Sequence, residues 1–102
     1  MSKNVTAHSL PIKPRQTLEV PVFTQFLDAH LDIRHNNCLL WTLQDTDAET
    51  PKEKVEIIMV RIDCPLTPVN AKYVGNFKDN GGAQHVFVIR EAEKLAIHGG
   101  AK

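Results

Sequence analysis

A chain of 102 residues with 42% hydrophobic and 24% charged residues has the composition of one soluble globular domain. Twelve acidic residues balance twelve basic ones, so the chain lacks the basic excess that is typical of nucleic-acid-binding proteins. No apolar run approaches the roughly 20 residues of a membrane helix, and the N-terminus is too polar for a signal peptide. We therefore expect a cytoplasmic protein that has neither a membrane nor a nucleic acid as its partner.

The N-terminal quarter of the chain is predicted to contain two short strands. Residues 1–4 are expected to be disordered, and residues 5–12 (VTAHSLPI) form an extended segment that Pro11 and Pro14 mark as a short edge strand. Residues 16–20 (QTLEV) alternate, with Leu18 and Val20 facing inward. Residues 22–26 (VFTQF) are predicted to form a single helical turn, and their two phenylalanines are expected to cover one end of the core.

The strongest pattern in the chain is a β-hairpin between residues 27 and 45. Apolar and polar residues alternate from Leu27 to Arg34, which places the two sets on opposite faces of a strand. Asn36 and Asn37 tolerate positive φ and predict a two-residue turn. In the return strand, the larger side chains are expected to face the core: Leu39, Trp41 and Leu43. The alternative for Trp41, the single tryptophan, is an exposed anchor at an interface.

The C-terminal half adds three more strands. Residues 55–62 (VEIIMVRI) are apolar on both faces and are expected in the middle of a sheet. Residues 64–70 contain two prolines and predict an irregular connection. Residues 72–77 and 83–91 form a second hairpin around the Asn-Gly-Gly turn signal at residues 80–82. The sequence thus predicts an all-β domain over residues 5–91, a small antiparallel sandwich or barrel of about six or seven strands, followed by a flexible tail over residues 92–102.

The polar face of the first hairpin strand is the main candidate binding strip. It carries Asp28, His30, Asp32 and Arg34, and neighbours on one face of a strand lie about 7 Å apart, so His30 is expected between two carboxylates. The pattern favours a solvated face with screened charge pairs. A polar binding strip is the functional alternative; a metal site is disfavoured because ligands along one strand do not converge.

Few residues support catalysis. The serines, Ser2 and Ser9, lie near the N-terminus, and no metal, phosphate or nucleophile motif occurs. Cys38 and Cys64 are expected to be buried small hydrophobic residues without a disulfide or a metal. His85 alternates with apolar residues and is expected in a core or interface rather than in an active site. We therefore predict a protein that is not an enzyme and has no cofactor.

Five segments together resemble a family of small, uncharacterised phage and prophage proteins. These segments are HSLPI (8–12), QTLEVP (16–21), CLLWTLQD (38–45), YVGNF (73–77) and GGAQHVF (81–87). The similarity spans roughly residues 5 to 90, but residues 63–68 lack the glycine-rich connection associated with the family. The resemblance implies a viral origin, a β-rich fold and residence in the cytoplasm of a bacterial host, and it transfers no site.

Three functions are compatible with these observations. The first is a small non-catalytic phage-encoded binding protein that acts on a host protein, for example as an inhibitor of a host defence system, with a homodimer as its candidate assembly. The second is a homo-oligomeric sequestrant of a nucleotide-like molecule, in which Arg34, Arg61, Arg90 and Lys72 would contact phosphate and Tyr73 or Trp41 would stack. The third is a virion or assembly component. The candidate binding residues are Asp28, His30, Asp32, Arg34, Arg61 and Tyr73.

Overall fold

The computed structural model describes residues 3–61, 71–79 and 81–90. Over these residues the chain forms seven strands: β1 (Lys3–Leu10), β2 (Arg15–Pro21), β3 (Gln25–Asp32), β4 (Asn37–Asp45), β5 (Lys52–Arg61), β6 (Lys72–Asp79) and β7 (Gly82–Arg90). The predicted all-β fold is therefore confirmed. None of these residues forms a helix of the length and hydrophobicity that a membrane span requires.

The strands form two antiparallel sheets that enclose one core. Sheet A has the order β1-β4-β3, and sheet B has the order β2-β5-β7-β6. The apolar strand β5 lies between two neighbours, as its sequence predicts. Inward-facing side chains of both sheets pack in the space between them, as in a β-sandwich. The buried cluster consists of Leu10, Val20, Ala29, Cys38, Leu40, Val55, Ile57, Met59, Phe77, Val86 and Val88.

The link between β2 and β3 differs from its prediction. Residues 22–23 form a turn instead of a helical one, and Phe23 has a φ of 64°. Its side chain is 80% exposed, whereas Phe26 packs against the core. Only one of the two phenylalanines thus covers the core, because the left-handed backbone at Phe23 directs its side chain towards solvent.

The first hairpin is present, but its turn is longer than predicted. Asp32 pairs with Asn37, so four residues connect β3 to β4 instead of two. Of the predicted asparagine pair, Asn36 does adopt a positive φ of 52°. Ile33 lies in this loop and is 85% exposed, and a bulge leaves Leu27 unpaired and 46% exposed. The predicted inward stripe of β3 is therefore restricted to Ala29 and Leu31.

The second hairpin has the short turn that its sequence predicts. Asp79 pairs with Gly82, which has a φ of 116° that strongly favours glycine. At the N-terminus, β1 begins at Lys3, two residues before the predicted start of the domain. The connection predicted over residues 64–70, Cys64 and the tail predicted over residues 92–102 lie outside the described residues.

Candidate functional site

The outer face of sheet A carries a row of large apolar side chains. Residues directly opposite each other in an antiparallel ladder share a face, and Trp41 pairs with Ala7 on one side and with Asp28 on the other. We call this surface the Trp41 face. By the same register its central part includes Val5, Ala7, Ser9, Gln25, Asp28, His30, Leu39, Trp41 and Leu43.

The prediction that Trp41 belongs to the core is wrong. The residues of β4 that are fully buried are Cys38, Leu40 and Thr42, and the three larger residues between them, Leu39, Trp41 and Leu43, are only half-buried. The cross-strand partners decide this outcome. Leu40 pairs with Ala29, which is 1% exposed, so both must face the opposite sheet. Trp41 follows Leu40 in the strand and therefore points outward.

His30 stands beside Trp41 on this face. Its ring meets the indole edge to face, with the ring centroids 6.5 Å apart. Its Nε2 lies 3.1 Å from Oδ2 of Asp28, and Oδ1 of the same carboxylate accepts a hydrogen bond of 2.8 Å from the amide of Ala29. The side chains of His30 and Asp28 are more than half exposed. The face thus combines an aromatic ring with an accessible polar pair.

The other two residues of the predicted strip do not join this pair. The carboxylate of Asp32 turns towards the β3–β4 loop, where Oδ2 contacts Nδ1 of His35 at 2.8 Å and Oδ1 accepts a bond from the amide of Arg34. The hydrogen bond with His35 is the main cause that lowers the pKa of Asp32 below its ordinary value. His30 is therefore paired with one carboxylate, and Asp32, at the end of β3, instead contacts residues of the β3–β4 loop.

Arg61 and Tyr73 lie on sheet B, apart from the Trp41 face. Arg61 borders a cleft of about 400 Å³ together with Met59 and Gln84, and its Nη1 lies 3.7 Å from Oδ1 of Asp79. The ring of Tyr73 contacts Phe87 at 5.2 Å on the outer face of sheet B. The Tyr73 hydroxyl accepts a hydrogen bond from Asn76 and lies 3.1 Å from Nδ1 of His85. The six predicted residues therefore do not form one site: Asp28 and His30 lie on the Trp41 face, Asp32 and Arg34 are near the β3–β4 loop, and Arg61 and Tyr73 are on sheet B.

The cations of the sequestrant hypothesis are also dispersed. Arg90 pairs with Val55 and Arg61 with Gln84, at opposite ends of the β5–β7 ladder. Arg90 donates hydrogen bonds to Glu53 and to the carbonyl of Thr24, and it lies over the ring of Phe26. Arg34 is in the β3–β4 loop of sheet A, and Lys72 pairs with Val88 on β6 of sheet B. These positions do not form one phosphate-binding pocket.

Sequence reasoning missed the role of Asp79, although Asp-Asn-Gly is a recognisable turn signal. Its carboxylate accepts hydrogen bonds from the Gly81 amide at 2.8 Å and from Nε2 of Gln84 at 3.3 Å. Desolvation by burial opposes ionisation, but these two bonds and the charge of Arg61 together lower the pKa of Asp79 below its ordinary value of 3.8.

The pKa of Asp79 predicts a pH-dependent contribution to stability. Because the pKa is lower in the folded chain, the contribution is complete above the unfolded value of 3.8 and is lost as the pH falls through the folded value. In Asp79→Asn, we expect the deficit in unfolding free energy relative to wild type to be constant at neutral pH and to shrink below pH 3.8. Urea unfolding over a pH series measures it. A deficit that is independent of pH would contradict this role.

Cys38 is a core residue, as the sequence predicts. Its side chain is fully buried, and burial raises the pKa of its thiol to about 11. At pH 8 about one thiol in a thousand is ionised, so iodoacetamide should modify Cys38 only after unfolding. Peptide mass spectrometry distinguishes Cys38 from Cys64. Rapid alkylation of Cys38 in the folded protein would contradict the burial.

The described residues contain no cluster of three or more histidine, cysteine, aspartate or glutamate side chains that could hold a metal ion. Comparison with known proteins gives one family. A model described as "Domain of unknown function (DUF7352)" matches residues 1–96. No curated protein and no solved structure matches the chain.

Proposed function

The chain belongs to the DUF7352 family of domains of unknown function, and we propose that it is a non-catalytic protein-binding domain whose Trp41 face docks on another protein. The position of Trp41 carries this proposal. Trp41 lies in a row with Leu39 and Leu43 on the outside of a sheet, where its side chain is half-buried and is not part of the core cluster. A contiguous apolar patch on an outer face marks an interaction site, and tryptophan is enriched among the residues that dominate binding energy.

The rest of the Trp41 face fits a protein partner better than a small ligand. The face is a sheet surface that Val5 and Ala7 continue beyond Leu43 and Trp41 towards the edge of the sheet. His30 and Asp28 flank the indole with exposed polar groups, which matches the arrangement of an apolar centre and a polar rim in protein interfaces. The chain's zero net charge adds no bulk electrostatic term that would favour a polyanion.

The partner that we propose is a protein of a bacterial host, with the chain encoded by a phage or prophage. The resemblance of the LPI, LWTLQD and YVGNF segments to small phage proteins supports this origin. A compact binding domain of 11.4 kDa suits an inhibitor, and a component of a host defence system is the target class that we favour. Such an inhibitor acts by covering a surface, for which an apolar sheet face is sufficient.

Site-specific photo-crosslinking in host cells tests the proposal. A photoreactive residue at position 30 lies on the Trp41 face, and the same residue at Thr17 lies on an exposed position of the outer face of sheet B. We expect one host protein to be crosslinked from position 30 and not from position 17. Crosslinking of that protein from position 17 alone would contradict the proposal, as would the absence of any crosslinked protein at position 30.

A further inference from the structure

Among the described residues, four strands form sheet edges: β1 and β3 in sheet A, and β2 and β6 in sheet B. An edge strand offers unpaired amide and carbonyl groups to another chain, and proteins ordinarily protect such edges with bulges, prolines or charged side chains. The four edges of this fold differ in how well they are protected.

Three of the edges carry such protection. Strand β3 has a bulge between Phe26 and Asp28, and β6 has one between Tyr73 and Gly75, so neither presents a regular ladder. Strand β2 contains two charged residues and ends in a proline that cannot donate to a ladder: Arg15, Glu19 and Pro21.

Strand β1 has none of these features over most of its length. Its eight residues pair with β4 in an unbroken register from Lys3↔Asp45 to Leu10↔Cys38. Lys3 is its one charged residue, and the first proline, Pro11, lies beyond its end. The opposite side of the strand is not paired with any other strand of the described chain. Val5, whose apolar side chain lies on the Trp41 face, is 59% exposed.

We propose that β1 is a dimerisation edge, which pairs antiparallel with β1 of a second copy of the chain to form a continuous six-stranded sheet. The charges of the strand allow a second copy to pair without repulsion. In a self-pair centred on Thr6, Lys3 lies opposite Ser9 of the second copy, and Val5 lies opposite Ala7. No like charges face each other in this arrangement, and the zero net charge of the chain adds no repulsion between copies.

This pairing also places the two Trp41 faces side by side. Directly paired residues lie on the same face of a sheet, so Val5 and Ala7 of the two copies would form a bridge between the two tryptophans. The dimer would thus present one long apolar surface with two equivalent halves. The inference does not depend on which partner binds that surface, and it stands or falls separately from the proposed function.

The mass of the full chain in solution tests the dimer. By sedimentation equilibrium, wild type should have about twice the chain mass of 11.4 kDa. Val5→Lys adds a lysine to the strand, which is a residue that natural edge strands carry to prevent pairing with another chain. This variant should sediment as a monomer. Ile33→Lys is the matched control, because Ile33 is 85% exposed in the β3–β4 loop, and it should remain dimeric. A monomeric wild type, a dimeric Val5→Lys or an assembly larger than two copies would overturn the proposal.

A cysteine scan along β1 tests the same dimer without relying on the folding of Val5→Lys. In a two-fold antiparallel pair, only residues at the centre meet their own copies, with Cβ atoms about 4.5–5.5 Å apart. Single cysteines at Val5, Thr6 and Ala7 should therefore give a disulfide-linked dimer whose yield is highest at Thr6 and falls on both sides. Equal yields at all three positions, or none, would contradict a defined β1–β1 register.

Discussion

Replacing Leu40 with alanine is expected to lower the free energy of unfolding by about 2–5 kcal/mol. The side chain of Leu40 is fully buried at the centre of sheet A, where it faces sheet B, so its removal loses transfer free energy and leaves a cavity. A loss of this size is a large part of the total stability of a domain of about 100 residues.

The neighbouring residue provides the matched control. Leu39 has the same side chain but lies half-buried on the Trp41 face, so Leu39→Ala should lower the unfolding free energy by only about 1 kcal/mol. Urea unfolding of both variants, followed by Trp41 fluorescence at one protein concentration, makes the comparison. A larger loss for Leu39→Ala than for Leu40→Ala would show that the predicted face of β4, with Trp41 inside, is the right one.

The sequence contained enough information to avoid the error at Trp41. A two-residue turn at Asn36 and Asn37 would pair His35 with Cys38, which places odd residues of β3 opposite even residues of β4. The observed four-residue loop keeps that parity, with Ala29 opposite Leu40. Choosing the heavier side chains of β4 as the inner set therefore contradicted the inward position already assigned to Ala29. The size of a side chain was a weaker guide to its burial than the face occupied by its partner on the neighbouring strand.

Other differences could not be derived from a local pattern. The bulge after Phe26 brings Phe26 and Ala29 to the same inner face, although their separation of three residues conflicts with a period of two. The dispersal of Arg61, Arg90 and Arg34 depends on the order of strands in two sheets, which periodicity does not specify. Strand positions, the β6–β7 turn and the central position of β5 depend on local composition and were predictable.

Replacing Trp41 with threonine should weaken binding of the host partner by about 30-fold or more, which corresponds to the loss of about 2 kcal/mol at a central interface residue. Threonine keeps the β-propensity of the strand and is polar on an outer face, so the fold should persist. The loss has a simple cause. The indole is the largest side chain on the Trp41 face, and His30 packs against it, so that its removal also frees the ring of His30.

Tyr73→Thr is the matched control for this substitution. Tyr73 is an aromatic residue on the outer face of sheet B and is 47% exposed, so its truncation removes a ring from the other sheet and leaves the Trp41 face unchanged. Both variants should retain the circular dichroism spectrum of wild type and its mass by sedimentation. Any difference between them in binding then reports which outer face contacts the partner.

The affinity of the crosslinked host protein for wild type, Trp41→Thr and Tyr73→Thr, measured by calorimetric titration, tests the central claim most directly. We predict that Trp41→Thr binds about 30-fold more weakly or not at all, and that Tyr73→Thr stays within about twofold of wild type. Unchanged binding by Trp41→Thr, with a loss in Tyr73→Thr, would contradict the account and place the interface on sheet B.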